Sequence, residues 1–192
     1  MQRKKRIVVF AGRNGSGKET AAKHASASLK AQHHTYSDIL EETYRLWGYD
    51  RNSRPDHQAL STFMRQQKGQ DALAIVIDKK CREAKGDYAV VDGARRKTDL
   101  DRLMATFGQE NVALIWIETP PTLRYERLKL RKEKRGEQMM TWEEFMVQEV
   151  AETEVQLDAI RGMAVYIVDN SGPPEALAPQ IDTILAEIAR AA

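Results

Sequence analysis

Ile7-Val8-Val9-Phe10-Ala11-Gly12-Arg13-Asn14-Gly15-Ser16-Gly17-Lys18-Glu19-Thr20 is an apolar run that ends in a glycine-rich turn and opens a stretch of helix formers. Glycine tolerates backbone angles that other residues avoid, so successive N–H groups can turn inward around phosphate oxygens. The helix that follows points its positive end at the same place. The segment therefore reads as a phosphate-binding loop, with Gly12, Asn14, Gly15, Ser16, Gly17, Lys18, Glu19 and Thr20 as candidate ATP-binding residues and Lys18 reaching the terminal phosphates. A plain strand-to-helix connection could also use glycine here, but the strand, the three glycines and the lysine all fall in place. The pattern G-x-x-x-x-G-K is normally completed by Ser or Thr, whose hydroxyl binds magnesium. Glu19 occupies that position and Thr20 comes one place later.

Working outward, 192 residues suit a single domain over 1–192, with a core that needs no covalent staples. Charged residues make up 30% of the chain and the formal net charge is only +2, so the overall balance demands neither nucleic acid nor an anionic membrane. The one cysteine, Cys81, excludes an internal disulfide and cannot form a cysteine-based metal site alone. The basic start is followed by too few apolar residues for a signal peptide, and the longest apolar runs fall well short of the roughly 20 residues a membrane helix needs. The expectation is a soluble, cytoplasmic protein, a monomer or homodimer with no membrane partner.

Short apolar runs at Arg6 to Ala11, around His34 to Ser37, Tyr88 to Val91, Val112 to Ile117 and Ala164 to Val168 predict five strands. Helical composition fills Lys18 to Gln32, Asp38 to Trp47, Pro55 to Lys85 (split at Gly69), Thr98 to Phe107, Pro121 to Lys134, Thr141 to Ile160 and Pro174 to Arg190. Alternating strands and helices imply an α/β fold in which a five-stranded parallel sheet is covered by helices on both faces. Ligands then bind beyond the carboxyl ends of the strands, where the loop at Gly12 lies.

Three further constellations point to chemistry. Val90-Val91-Asp92-Gly93-Ala94-Arg95-Arg96 ends a strand in an acid. Asp-Gly is also a common turn, but beside a phosphate loop Asp92 is placed to hold magnesium, as Thr20 is, with Glu19 a further candidate ligand. Arg124, Arg127, Arg131 and Arg135 are spaced by three, four and four and share one helix face. Charge runs are usually solvated faces. This one has few compensating acids at its end, so it repels itself unless an anion sits in front of it, and arginines closing over a transferring phosphoryl group stabilise its charge. Arg131 and Arg135, nearest Gly136, are the preferred catalytic pair alongside Lys18 and Asp92.

The third constellation is Tyr36-Ser37-Asp38-Ile39-Leu40, followed by Arg45, Arg54 and Arg65, which would line the acceptor side of the cleft. Asp38 either orients an acceptor or caps a helix, and Arg65 is placed to clamp an acceptor phosphate. His24, His33, His34 and His57 show no pair at metal-ligand spacing and read as structural or surface residues. Trp47, Tyr49, Trp116 and Trp142 read as core or pocket walls, with no basic-aromatic alternation to suggest nucleic acid.

With these residues in hand, the chain resembles the nucleoside-monophosphate-kinase-like branch of P-loop kinases over nearly its whole length. Gly-Ser-Gly-Lys-Glu-Thr looks like the adenylate kinase loop Gly-x-Gly-Lys-Gly-Thr, which implies that Thr20 takes the hydroxyl role. Asp92-Gly93-Ala94-Arg95-Arg96 looks like the Asp-Gly-Phe-Pro-Arg segment, whose arginine grips the acceptor phosphate, so Arg96, with Arg95 beside it, takes that role here. The arginine stripe resembles a lid helix. Ala164 to Gly172 is similar to the last strand and turn of dephospho-CoA kinases and of archaeal kinase-like proteins near them; in such enzymes the turn lies by the adenine, which implies Asn170 and Gly172, with Arg127, as further ATP-binding residues. The three-layer fold implied is a P-loop NTPase fold with an acceptor-binding helical insertion over about 38–85 and a short helical lid over about 124–140.

The resemblance implies an ATP- and Mg2+-dependent phosphotransferase. The acceptor it favours is a nucleoside or deoxynucleoside monophosphate, because Arg65, Arg95 and Arg96 offer a phosphate clamp; dephospho-CoA is the main rival. A reading from another class is a P-loop switch or a nucleic-acid-associated ATPase. Against a GTP switch, no Asn-Lys-x-Asp motif occurs. Near-neutral total charge weighs against nucleic acid.

Overall fold

Residues Ile7 to Ala11 are fully buried, because their strand runs through the middle of a parallel sheet covered on both faces. The computed structural model describes residues 5–49, 54–130, 137–150 and 152–191. Its strands are β1 (Arg6–Ala11), β2 (Gln32–Thr35), β3 (Tyr88–Asp92), β4 (Val112–Glu118) and β5 (Tyr166–Asp169). All neighbours are parallel and the order is β2-β3-β1-β4-β5. The register sets Phe10 beside Asp92, Ala11 beside Trp116, Thr35 beside Asp92 and Glu118 beside Asp169, so the strands end along one edge.

Among the described residues the helices are α1 (Lys18–Leu29), α2 (Tyr36–Leu46), α3 (Arg54–Lys68), α4 (Ala72–Glu83), α5 (Lys97–Phe107), α6 (Pro121–Leu130), α7 (Trp142–Glu149), α8 (Glu152–Met163) and α9 (Leu177–Arg190). Strand alternation divides the interior in two. Val8, Phe10 and Val90 pack with Ala21, Ala22 and Ala25 of α1 and Ile181, Leu185 and Ile188 of α9. Ile7, Val9 and Val91 pack with Ile77 of α4, Leu100 and Leu103 of α5 and Ile160 of α8. Each such large apolar side chain contributes about 1.5–3 kcal/mol by leaving water. The three-layer α/β architecture expected from the sequence is therefore present.

Several boundaries differ from expectation, three of them for a tertiary or capping reason. Strand β2 covers Gln32–Thr35 rather than His34 to Ser37, and α2 begins at Tyr36, because Thr35 caps it: the Asp38 N–H donates to Thr35 Oγ1 at 2.9 Å. The helix expected from Thr141 to Ile160 is two helices, α7 and α8. The break brings the Glu149 carboxylate to Arg124 and leaves its carbonyl to Arg13. Strand β5 starts at Tyr166, after the Ala164 N–H has turned back to the Arg161 carbonyl. No helix among the described residues is long and apolar enough to cross a membrane.

Candidate functional site

The loop between β1 and α1 is shaped by glycine where no other residue would serve. Gly15 and Gly17 have φ of 76° and 91°, left-handed values that strain side-chain-bearing residues. Gly17 is the N-cap of α1 and offers no side-chain cap, so the positive end of the helix faces the loop where an anion would sit. The loop is held from outside. The Ser16 carbonyl accepts from Thr119 Oγ1 at 3.0 Å and from Asn170 Nδ2 at 2.7 Å, and the Asn14 carbonyl accepts from Arg124 Nη1 at 3.3 Å. Arg13 donates to the Glu149 carbonyl at 3.3 Å and to Asp158 Oδ1 at 2.8 Å.

Two clefts meet at this loop. One, of about 750 Å³ including its open mouth, is lined by Gly15, Gly17, Lys18, Glu19, Thr20, Lys23, Arg127 and Leu128. The other, of about 1010 Å³, runs from Asn14 and Lys18 past Asp92, Gly93, Arg95 and Arg96 to Tyr36, Ser37 and Leu40 of α2 and His57, Gln58, Ser61, Thr62 and Arg65 of α3. Lys18 and Glu19 line both. The first cleft suits a nucleoside triphosphate: it holds the start of α1, the exposed residue Thr20 and the Arg127 guanidinium. Arg127 Nη2 donates to the Asn170 carbonyl at 3.0 Å, whereas its buried Nη1 has no hydrogen-bond partner among the described residues. Burial lowers the Arg127 pKa, and an anion at this cleft would raise it again. Ser16 Oγ is likewise buried without a partner among the described residues. These orphaned donors, at the positive end of α1, fit the phosphate oxygens of ATP, and the Thr20 hydroxyl fits its metal.

In the second cleft, Asp92 is 5% exposed and sits at the end of β3. Its Oδ2 lies 3.1 Å from His33 Nε2. Among the described residues no group of three or more His, Cys, Asp or Glu side chains is placed to hold a metal ion. Magnesium does not require such a cage, since it is usually held by one or two carboxylates, phosphates and water. Tyr36 forms a buried wall; burial first, and then the Asp99 charge, hold its hydroxyl well above the ordinary pKa of 10.0, so it stays protonated and donates to the Asp99 carbonyl.

Several expected site residues take other positions. Arg65 lines the cleft, but its guanidinium is 4% exposed and already bonded to Asp99 Oδ1 at 2.9 Å, to Ser61 Oγ at 3.4 Å and to the Gln70 carbonyl. Asp99 Oδ2 in turn accepts from the Arg95 and Arg96 amides at 3.0 and 3.1 Å. Arg65 thus braces the Arg95-Arg96 turn instead of clamping a phosphate itself, because a buried guanidinium beside a buried carboxylate is held by it. Asp38 is exposed and does not line the cleft: starting α2 at Tyr36 turns positions 36, 37 and 40 inward and 38 outward. Asn170 is a buried strut whose amide pins Ser16, and Gly172 is exposed in the turn after β5 and lines neither cleft.

The arginine stripe does not hold as a single anion-facing row. Arg124 is 2% exposed, in a bidentate pair with Glu149 at 2.8 and 2.5 Å, with its Nε donating to the Thr119 carbonyl at 3.0 Å. Its compensating acid lies on α7, beyond the reach of helical spacing. Arg131 and Arg135, with the rest of 131–136 in the expected lid, lie outside the described residues. The Arg96 side chain reaches Gln70 Oε1 at 3.2 Å, which keeps it at the cleft wall. Ser37 lines the cleft as its segment was expected to, whereas His57, Gln58, Ser61 and Thr62 were given no site role from the sequence; the i, i+4 polar spacing of His57 and Ser61 on α3 was the available signal.

Comparison with known proteins places this architecture. A family model described as an AAA domain matches residues 8–153. A UPF0200 protein of Thermococcus kodakarensis is 30% identical over 190 residues, covering 95% of this chain and 97% of its own length. A UPF0200 protein of Thermococcus gammatolerans is 28% identical, covering 96% of each chain. Among solved structures, the fold is similar to shikimate kinase from Acinetobacter baumannii in complex with shikimate, with a TM-score of 0.60, 16% identity and coverage of 98% of this chain and 95% of that one. It is also similar to a gluconokinase from Sinorhizobium meliloti, with a TM-score of 0.54, 16% identity and coverage of 99% and 94%. The relatives are archaeal, in line with the archaeal kinase-like resemblance. The structural likeness fixes a P-loop kinase-like fold without selecting the nucleoside-monophosphate branch.

Proposed function

From a chain that belongs to the UPF0200 family, carries an AAA domain over residues 8–153 and has a P-loop kinase-like fold, we infer an ATP-dependent kinase of a small molecule. One observation carries this reading: Lys18 and Glu19 line both clefts, so the lysine that reaches a terminal phosphate also faces the cavity beside Asp92 and Arg96. A nucleotide hydrolase or switch needs no second cavity opening on that lysine; a phosphotransferase does.

ATP with Mg2+ supplies the transferable γ-phosphoryl group and neutralises part of its charge. The chain positions and stabilises. The α1 amides and the loop at Gly15 to Gly17 hold phosphate oxygens, Lys18 stands at the junction of the clefts, and Arg127 Nη1, which has no partner among the described residues, adds a donor on the nucleotide side. Thr20 and Asp92 are the oxygens offered to the metal, with Glu19 between them. Arg131 and Arg135 are proposed to close over the transferring group. The whole chain, 1–192, acts as one kinase domain in which α2 and α3 wall the acceptor cleft. The acceptor we favour is a phosphate-bearing small molecule, first a nucleoside or deoxynucleoside monophosphate. Arg95 and Arg96 face the cleft on a turn braced by Asp99, and the neutral polar groups Ser37, Gln58, Ser61 and Thr62 suit a base and sugar. Dephospho-CoA is the alternative of the same chemistry.

Acceptor-dependent ADP formation across nucleoside monophosphates, deoxynucleotides, dephospho-CoA and simple hydroxy acids tests this. The expected result is stimulation by a phosphate-bearing acceptor. ATP hydrolysis that no acceptor stimulates overturns the kinase reading. Lys18→Ala should lower turnover at least about 100-fold, the scale of losing one oriented donor to a developing charge, with the protein still folded by circular dichroism.

A further inference from the structure

We propose that His33 is a positioning residue for Asp92, fixing which carboxylate oxygen is presented to the metal of the bound nucleotide. The inference rests on the kinase reading of Asp92. The sequence alone gives His33 no role, since no second histidine stands at metal-ligand spacing from it. The parallel register supplies one. Thr35 of β2 lies beside Asp92, so His33, two residues back, projects from the same face of the sheet one diagonal step away. From there its Nε2 lies 3.1 Å from Asp92 Oδ2, with the side chains 16% and 7% exposed.

A carboxylate can only accept, so the bond requires the proton to be on Nε2. Among the described residues Asp92 Oδ2 has this side-chain partner and Oδ1 has none, which leaves Oδ1 for the cleft that Asp92 lines. The torsion that orients a carboxylate is broad and roughly two-fold. With one oxygen bonded to an imidazole held in a strand, the carboxylate plane is set before any ligand arrives. Outer partners of this kind orient metal-binding carboxylates, and their removal typically weakens metal binding about 10- to 100-fold.

The test uses the full chain with Mn2+ as a paramagnetic probe and a non-hydrolysable ATP analogue, reading Mn2+ affinity by electron paramagnetic resonance. His33→Ala should weaken Mn2+ binding about tenfold, and His33→Gln, whose amide still donates, should stay within about threefold of the unaltered protein. Asp92→Asn should weaken it at least as much as His33→Ala, and adding His33→Ala to Asp92→Asn should change nothing further. Full Mn2+ affinity in His33→Ala alongside a loss in Asp92→Asn overturns the role of His33 and leaves the site reading intact. Full affinity in Asp92→Asn overturns Asp92 as a ligand and the positioning role with it. Independently of any variant, imidazole 15N spectra of the unaltered protein should show His33 Nε2 protonated, and an unprotonated Nε2 overturns the proposal.

Discussion

Glu19 stands where a hydroxyl is expected, and the structure gives its carboxylate a neighbour on its own helix: Lys23 Nζ lies 2.7 Å away, one turn on. Thr20, by contrast, is exposed and lines the nucleotide cleft. Thr20→Ala should therefore reduce turnover about tenfold or more and raise the Mg2+ concentration needed for half-maximal rate, whereas Glu19→Gln should cost less than about threefold. Steady-state rates over a Mg2+ series decide it; the reverse order would make Glu19 the metal ligand. At this scale the loop and Asp92-Gly93 were legible, because their geometry is set by adjacent residues. The pairing of Arg65 with Asp99 and the outward position of Asp38 were not legible, because burial against Asp99 and the turn at which α2 starts are set by partners that local spacing does not show.

At the scale of elements, α6 and α7 form a unit tied to the phosphate loop. Leu128, Met140 and Phe145 pack together, with Tyr125 and Trp142 edge to face at 5.3 Å between ring centres. Beside them Arg124 holds Glu149 of α7 and the carbonyls of Asn14 and Thr119. Arg124→Ala would leave the largely buried Glu149 without its bidentate partner and should cost about 3–5 kcal/mol in urea unfolding. Arg124→Lys should recover only part of this, since an ammonium cannot reproduce the fork of two parallel bonds. The break between α7 and α8 could not be read from composition for the same reason: it serves a pair whose members are 25 residues apart. Strands β1 and β4 were legible within a residue because continuous Val, Ile and aromatic runs have few other uses.

At the scale of the whole molecule, stability should depend on pH through His34, on the opposite face of β2 from His33. Burial first, then the nearby Lys80 and His33, hold its pKa below the ordinary 6.5. The unfolded chain takes up this proton at about pH 6.5, while the folded protein does so only at lower pH. As pH falls through that window the unfolded state binds more protons, so stability declines; above about pH 7.5 the effect is absent. Melting temperatures measured from about pH 8 to about pH 5 should fall in the acid half, and His34→Gln should flatten that fall. A slope unchanged by the substitution would assign it to other groups.

The strut from Asn170 to Ser16 has a consequence for biosynthesis. The two residues are 154 positions apart, and Thr119, which grips the same carbonyl, is 103 positions from it. A ribosome delivers the glycine turn well before the side chains that pin it, which emerge only after β4 and then β5. The nascent chain thus carries its signature motif long before it can grip a ligand, and nucleotide affinity marks the completion of folding more than its onset.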